Sequence, residues 1–129
     1  MKTKFLKEKA DAFLENGQEQ LKKGIYFIAA FNFEQAAQLY IKHCLFLQLK
    51  DFPKIHPIDK LLEEFGKGFD KQREVDEFYK ENVSVISDLN QSYITSRYLP
   101  VDFTLYQVQE MEKFIERLIK FLEEICQEL

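Results

Sequence analysis

An all-helical bundle is the fold class this sequence predicts, and three observations predict it. Apolar residues return at spacings of three and four along nearly the whole chain, the period of one helix face. No stretch alternates apolar with polar residues as a half-buried strand does. Four Gly and three Pro in 129 residues leave few places where a helix must stop. A chain of this length suits one domain spanning residues 1–129, and buries about two-thirds of its unfolded surface, enough for one core without staples. Thirteen Phe and six Tyr, with no Trp, make that core Phe-rich.

Helix one is expected from about Thr3 to Lys23, with Leu6, Ala10, Phe13, Leu14 and Leu21 turned inward and Gly24 marking the turn. Helix two runs from about Ile25 to Leu49. Phe27, Ile28, Ala30, Phe31, Phe33, Ala36, Ala37, Tyr40, Ile41, Cys44, Leu45 and Leu47 leave it almost no polar face, so it lies at the centre of the bundle or against a second subunit. Asp51-Phe52-Pro53-Lys54 is the first break. A short helix follows Pro57 through Leu61, Leu62 and Phe65 and stops at a Gly66-Lys67-Gly68 turn. The next long helix carries Val75, Phe78, Tyr79, Ile86, Leu89 and Tyr93 on one side. It ends near Tyr98 or Leu99, because Pro100 disfavours helix at the residue before it. The last helix has the clearest stripe: Val108, Met111, Ile115, Leu118, Leu122, Ile125 and Leu129, widened by Phe114 and Phe121 and capped by Asp102 or Thr104. The sum is an antiparallel up-and-down bundle of four long helices plus one short one.

Charge and motifs exclude several classes. The net charge of −4 draws the chain neither to nucleic acid nor to an anionic membrane, although Lys2, Lys4, Lys7 and Lys9 crowd the amino terminus. The longest apolar runs fall far short of the roughly 18 residues of a membrane span, and Met-Lys-Thr-Lys lacks a signal-peptide core. Cys44 and Cys126 in such a chain suggest reduced thiols and a cytoplasmic protein. Glu and Lys dominate the charged residues, a bias that suits exposed helix faces and is also enriched in heat-loving organisms. No glycine-rich loop offers a phosphate or dinucleotide cradle. His43 and His56 stand thirteen residues apart, with no Glu-x-x-His and no Cys-x-x-Cys, so no metal is expected.

Three sets of residues remain as candidates. In Phe33-Glu34-Gln35-Ala36-Ala37, followed by Tyr40 and Lys42, the small Ala residues allow close helix approach. Gln35 there is either a satisfied core amide or a polar group lining a cleft or subunit seam. His56, extended before Pro57, caps the short helix or meets a partner. In Tyr93-Ile94-Thr95-Ser96-Arg97-Tyr98-Leu99-Pro100, a cation near a helix carboxyl end is favoured by the dipole alone. The neighbouring Ser96 and Tyr98 point further. An Arg fork suits phosphate or carboxylate, and Tyr rings stack on a base or hold a guanidinium.

Taken in order, these sets resemble the HEPN domain, a helical module associated with nucleotide chemistry. The likeness runs from Gly24-x-Tyr26 into Phe33-x-Gln35-Ala36-Ala37 and Lys42, through His56 with Leu61-Leu62 behind it, to the Arg97-Tyr98 corner before the last helix. It covers nearly the whole chain. There are two departures. The family commonly has Glu-Lys after the Gln-Ala-Ala core, where this chain has Gln38-Leu39. Ribonuclease members carry a His after the Arg with four to six residues between them, where this chain has Asp102, Phe103 and Thr104. The resemblance is therefore to the non-catalytic companions of minimal nucleotidyltransferases in prokaryotic toxin–antitoxin modules. It implies a homodimer without cofactor, in which Arg97, Tyr98, Ser96, Gln35, Lys42 and His56 bind a nucleotide or the transferase partner. A degenerate HEPN ribonuclease toxin and a purely structural oligomerisation bundle are the alternatives.

Overall fold

The computed structural model describes residues 4–127. Lys2 of the amino-terminal lysines, Thr3, expected at the start of helix one, and Leu129, expected at the end of the last stripe, lie outside the described residues. Six helices follow in order: α1 (Phe5–Lys22), α2 (Tyr26–Leu49), α3 (Ile58–Phe69), α4 (Gln72–Glu81), α5 (Val83–Tyr98) and α6 (Leu105–Ile125). They hold 81% of the described residues, and no strand occurs among these. None of the helices is long and apolar enough to cross a membrane.

Helix α2 is the axis, packed against α1, α3, α5 and α6. Its pairing with α1 is antiparallel. Phe5 meets Phe46 edge-on with ring centroids 5.4 Å apart, Tyr40 donates its hydroxyl hydrogen bond to Asp11, and Gly17 lies against the ring of Phe33. Ala29, Ala30, Ala36 and Ala37 are fully buried on α2, as expected of small residues that admit neighbouring helices. A second aromatic layer joins α3, α4 and α6. There Phe78 stacks on Phe121 at 4.3 Å, and Phe121 touches Phe65 at 6.1 Å. Aromatic pairs in these geometries add about 0.5–1.5 kcal/mol each beyond simple area burial. Cys44 and Cys126 are buried thiols that form no disulfide. The hydrogen bond between them, followed by burial, pushes the Cys44 thiol well above its usual range.

The expected arrangement of four long helices and one short one is corrected in two places. The long helix expected before Pro100 is two helices, α4 and α5, broken at Asn82. The Asn82 side chain is buried. Its amide donates to the Phe78 carbonyl, while Oδ1 accepts from Arg117 Nε at 3.0 Å and Nη2 at 2.8 Å. Asn readily exchanges helical backbone bonds for side-chain ones, and the forked guanidinium from α6 fixes it in that role. The turn expected at Gly66-Lys67-Gly68 is helical instead. Helix α3 continues to Phe69 and ends at left-handed Asp70, where Lys71 N–H closes on the Gly66 carbonyl at 2.7 Å. A Cβ on Gly66 would stand 3.3 Å from the Gln72 backbone and from Val75, so this glycine serves the close approach of α4.

At the other end of the chain, Thr104 caps α6 as expected. Gln107 N–H donates to Thr104 Oγ1 at 3.1 Å and Thr104 N–H donates to Gln107 Oε1 at 2.9 Å, a reciprocal capping box.

Candidate functional site

The site is assembled where the end of α5 passes the first half of α2 and the start of α3. Ser92, fully buried on α5, donates to the Leu89 carbonyl at 2.7 Å and faces the Ala30 carbonyl at 3.5 Å, which seats α5 on α2. Half a turn earlier, Asn90 accepts from Ile58 N–H at 2.8 Å and donates to Asp59 at 2.9 Å. It thereby caps α3, which has no cap of its own, since Pro57 precedes its first residue. With the head of α3 held there, the His56 ring stacks on Tyr93 at 4.7 Å and 23°, with His56 Nε2 3.4 Å from the Tyr93 hydroxyl.

Arg97 lies one turn beyond Tyr93. Its Nε donates to the Tyr93 carbonyl at 2.9 Å, so it does serve the helix end. The same guanidinium sits over the Tyr93 ring at 4.4 Å, near Tyr98 at 5.0 Å and near Phe31 at 5.6 Å. Arg97 is exposed, and no carboxylate among the described residues pairs with it. Three aromatic rings thus orient a cation whose outer nitrogens remain available for an anion.

Under this corner, α2 carries a buried polar row at every fourth residue. Glu34 is only 1% exposed, Gln38 4% and Lys42 8%. Gln38 Nε2 donates to Glu34 Oε2, Gln35 Nε2 donates to Glu34 Oε1 at 2.8 Å, and Lys42 Nζ donates to Gln38 Oε1 at 3.4 Å. Burial pushes the Glu34 carboxyl up from 4.5 to about 7, against the amide bonds and the charges of Lys42 and Arg97, which lower it. Burial also pushes the Lys42 ammonium down, opposed by Glu34, and its charge lies 5.9 Å from the Phe52 ring.

The structure links five of the six sequence-predicted residues, all but Ser96, through two residues that lay in the candidate segments without being singled out. Tyr93 joins His56 to Arg97, and Glu34 gathers Gln35, Lys42 and the field of Arg97. Ser96 precedes Arg97 in the chain, but its Oγ is enclosed and unpartnered, and Tyr98 is 69% exposed. Signals for both missed residues existed. Glu34 is the one carboxylate inside the apolar run of α2, and Tyr93 stands four residues before Arg97, the spacing at which helix side chains meet. Among the described residues no group of His, Cys, Asp and Glu is placed to hold a metal. An open groove of about 620 Å³ between α3 and α4, walled by Asp59, Lys60, Glu63, Lys67, Arg73 and Tyr79, does not include the Arg97 corner.

The HEPN domain family model matches residues 3–128. The chain belongs to the HEPN domain family. A search of curated proteins gives no match. Among solved structures, this HEPN chain is similar to TT1696 from Thermus thermophilus, at 24% identity and a TM-score of 0.76. The match covers 95% of this chain and 96% of that one, and it speaks to the fold. The ordered sets that suggested the family from sequence are thus part of a whole-length match.

Proposed function

We propose that this HEPN domain is a dimeric binding subunit whose Arg97 corner takes a nucleotide, and that a minimal nucleotidyltransferase is its protein partner. The observation that carries the reading is the exposed Arg97 guanidinium, held over Tyr93 and beside Tyr98, with no carboxylate among the described residues paired with it. A cation with flat rings around it is the equipment for a phosphate joined to a base: the fork takes phosphate oxygens and an exposed Tyr stacks.

HEPN domains commonly dimerise. Around the corner, Ile94, Tyr98, Leu99, Val101, Leu105 and Tyr106 are all more than two-fifths exposed, an apolar border that a second copy would cover. Two such corners across a two-fold axis form a cleft with an Arg on each side.

Isothermal titration of a nucleotide panel into the purified chain, with sedimentation to establish its mass, tests this directly. The expected result is a dimer that binds a nucleotide and loses it in Arg97→Ala with the fold intact. A well-folded dimer that binds no nucleotide, and no nucleotidyltransferase encoded beside it, sinks the reading in favour of a purely structural bundle.

A further inference from the structure

The polar row beneath the corner is more than packing. Both carboxylate oxygens of Glu34 are held by neutral amides, those of Gln35 and Gln38, and no cation closes on it at ion-pair distance among the described residues. Gln38 then passes its other end to Lys42, so the row reads carboxylate, amide, ammonium along one face of α2. The charged groups that act on Glu34 are Lys42 from its own helix and Arg97 from α5. On the α1 side, the Asp11 carboxylate is engaged by the Tyr40 hydroxyl. Tyr93 and Tyr98 on α5 and His56 ahead of α3 are the further titratable groups around Arg97.

A buried carboxylate without an ion pair exchanges charge with solvent more readily than it tolerates a second negative charge nearby. An anion bound on Arg97 brings that second charge. It draws on the same guanidinium whose field favours ionised Glu34, and it repels the ionised form directly.

We propose that Glu34 makes anion binding at the Arg97 corner proton-linked: a phosphate-bearing ligand binds with uptake of one proton from solvent onto the Glu34 carboxylate, and is released as that proton leaves. This rests on the Arg97 corner being the binding site. The ligand gains no bond to Glu34 and no covalent step is involved. The proton moves between buffer and a Glu34 oxygen, and the net charge of the site falls by one less than the ligand's charge. Because the free carboxyl titrates at about 7, the linkage acts across the neutral range.

Sulfate is a suitable probe, since it keeps its full charge throughout that range. Titrations at roughly pH 6 and roughly pH 8 are expected to show sulfate bound about five- to tenfold more weakly at the higher pH, as one linked proton requires. Glu34→Gln, which keeps the size and one acceptor of the side chain, is expected to bind sulfate with less than about a twofold change over the same interval. Repeating both in His56→Gln separates the effect from the imidazole beside Tyr93. Titrating the unmutated chain in two buffers of different ionisation enthalpy reads the proton directly, about half a proton taken up at roughly pH 7, where half of the free Glu34 is already protonated, and up to one at roughly pH 8, and needs no variant to fold. A flat pH dependence without proton uptake, or a Glu34→Gln variant that keeps the full dependence, overturns the linkage while leaving the corner as a binding site. Sulfate binding that survives Arg97→Ala, or no sulfate binding by the unmutated chain at any pH, overturns the corner itself.

Discussion

Replacing Glu34 by Gln changes how the stability of this domain depends on pH, and the structure sets the size of the change. Glu34 is 1% exposed, and burial raises its carboxyl from 4.5 to about 7. Between those values the folded chain holds a proton that the unfolded chain has released, so folding loses free energy as pH rises through the interval. The contribution is absent below the unfolded value, grows through the window, and is complete above the folded value. At about 1.4 kcal/mol per pH unit it amounts to about 3 kcal/mol. Gln cannot ionise. The unfolding free energy of Glu34→Gln minus that of the unmutated chain is therefore expected to rise by about 3 kcal/mol from roughly pH 4.5 to roughly pH 8, in favour of the variant. In melting temperature this is roughly 10 °C for a domain of this size. At the acid end both side chains are neutral, and the two proteins should agree within about 1 kcal/mol, the scale of one rearranged hydrogen bond. Urea unfolding followed by far-ultraviolet circular dichroism at several pH values measures both. Taking the difference between the two proteins cancels every other titrating group. Parallel stability curves would refute the buried, ionisable role given to Glu34.

Three further substitutions test the packing that positions the site. Gly17→Ala would place a Cβ 2.7–2.8 Å from two ring atoms of Phe33, which is fully buried; the overpacking outweighs the gain in helix propensity, for a net loss of about 1 kcal/mol in urea unfolding, and a more stable variant would contradict the α1–α2 fit. Asn90→Ala removes the cap that α3 borrows from α5, and about 1–2 kcal/mol of stability should go with it; nuclear magnetic resonance should also show the His56 and Tyr93 ring signals shifting together, and unchanged signals would mean that the cap does not hold the stack. Asn82→Ala leaves Arg117 without its acceptor and the Phe78 carbonyl without its donor, a loss of about 1–2 kcal/mol by thermal unfolding; no loss would show that the α4–α5 break needs no clamp.

Much of this fold was legible in the sequence because local chemistry and tertiary packing agree. The stripe of α6 and its Thr104 cap, the stop before Pro100 and the largely buried α2 all rest on residues within a turn of one another. The two corrections arise where a distant partner decides. Asn82 breaks a helix because Arg117 reaches it from α6, thirty-five positions away. Gly66 stays helical because α4 packs onto it, which no local turn signal encodes. The site divides the same way. Arg97 and Tyr98 stand out in sequence as a cation and a ring beside a forced helix end. Glu34 matters only because folding buries it between two amides, and Tyr93 only because Asn90 holds His56 against it.

The segment after Arg97 shows where this chain departs from the ribonuclease pattern. Three positions offer the spacing at which that pattern has its His, and each has a structural role here. Phe103 is 7% exposed and belongs to the core; a His there would strand a polar ring in an apolar site at a cost of about 3 kcal/mol. Thr104 supplies the α6 cap, whose loss costs about 1 kcal/mol. Asp102 is exposed and does no more than accept from Phe103 N–H at 2.7 Å. It is thus the one position of the three where a His fits without unfolding pressure. Asp102→His is expected to melt within a few degrees of the unmutated chain, whereas Phe103→His falls by roughly 10 °C. If Arg97 faces a dimer cleft, Asp102→His also places an imidazole beside the guanidinium at the ribonuclease spacing, and cleavage of RNA by that variant should disappear again in Asp102→His combined with Arg97→Ala. A folded, dimeric Asp102→His protein without cleavage would place Arg97 outside the cleft, and the binding reading of this corner would then have to rest on a single chain.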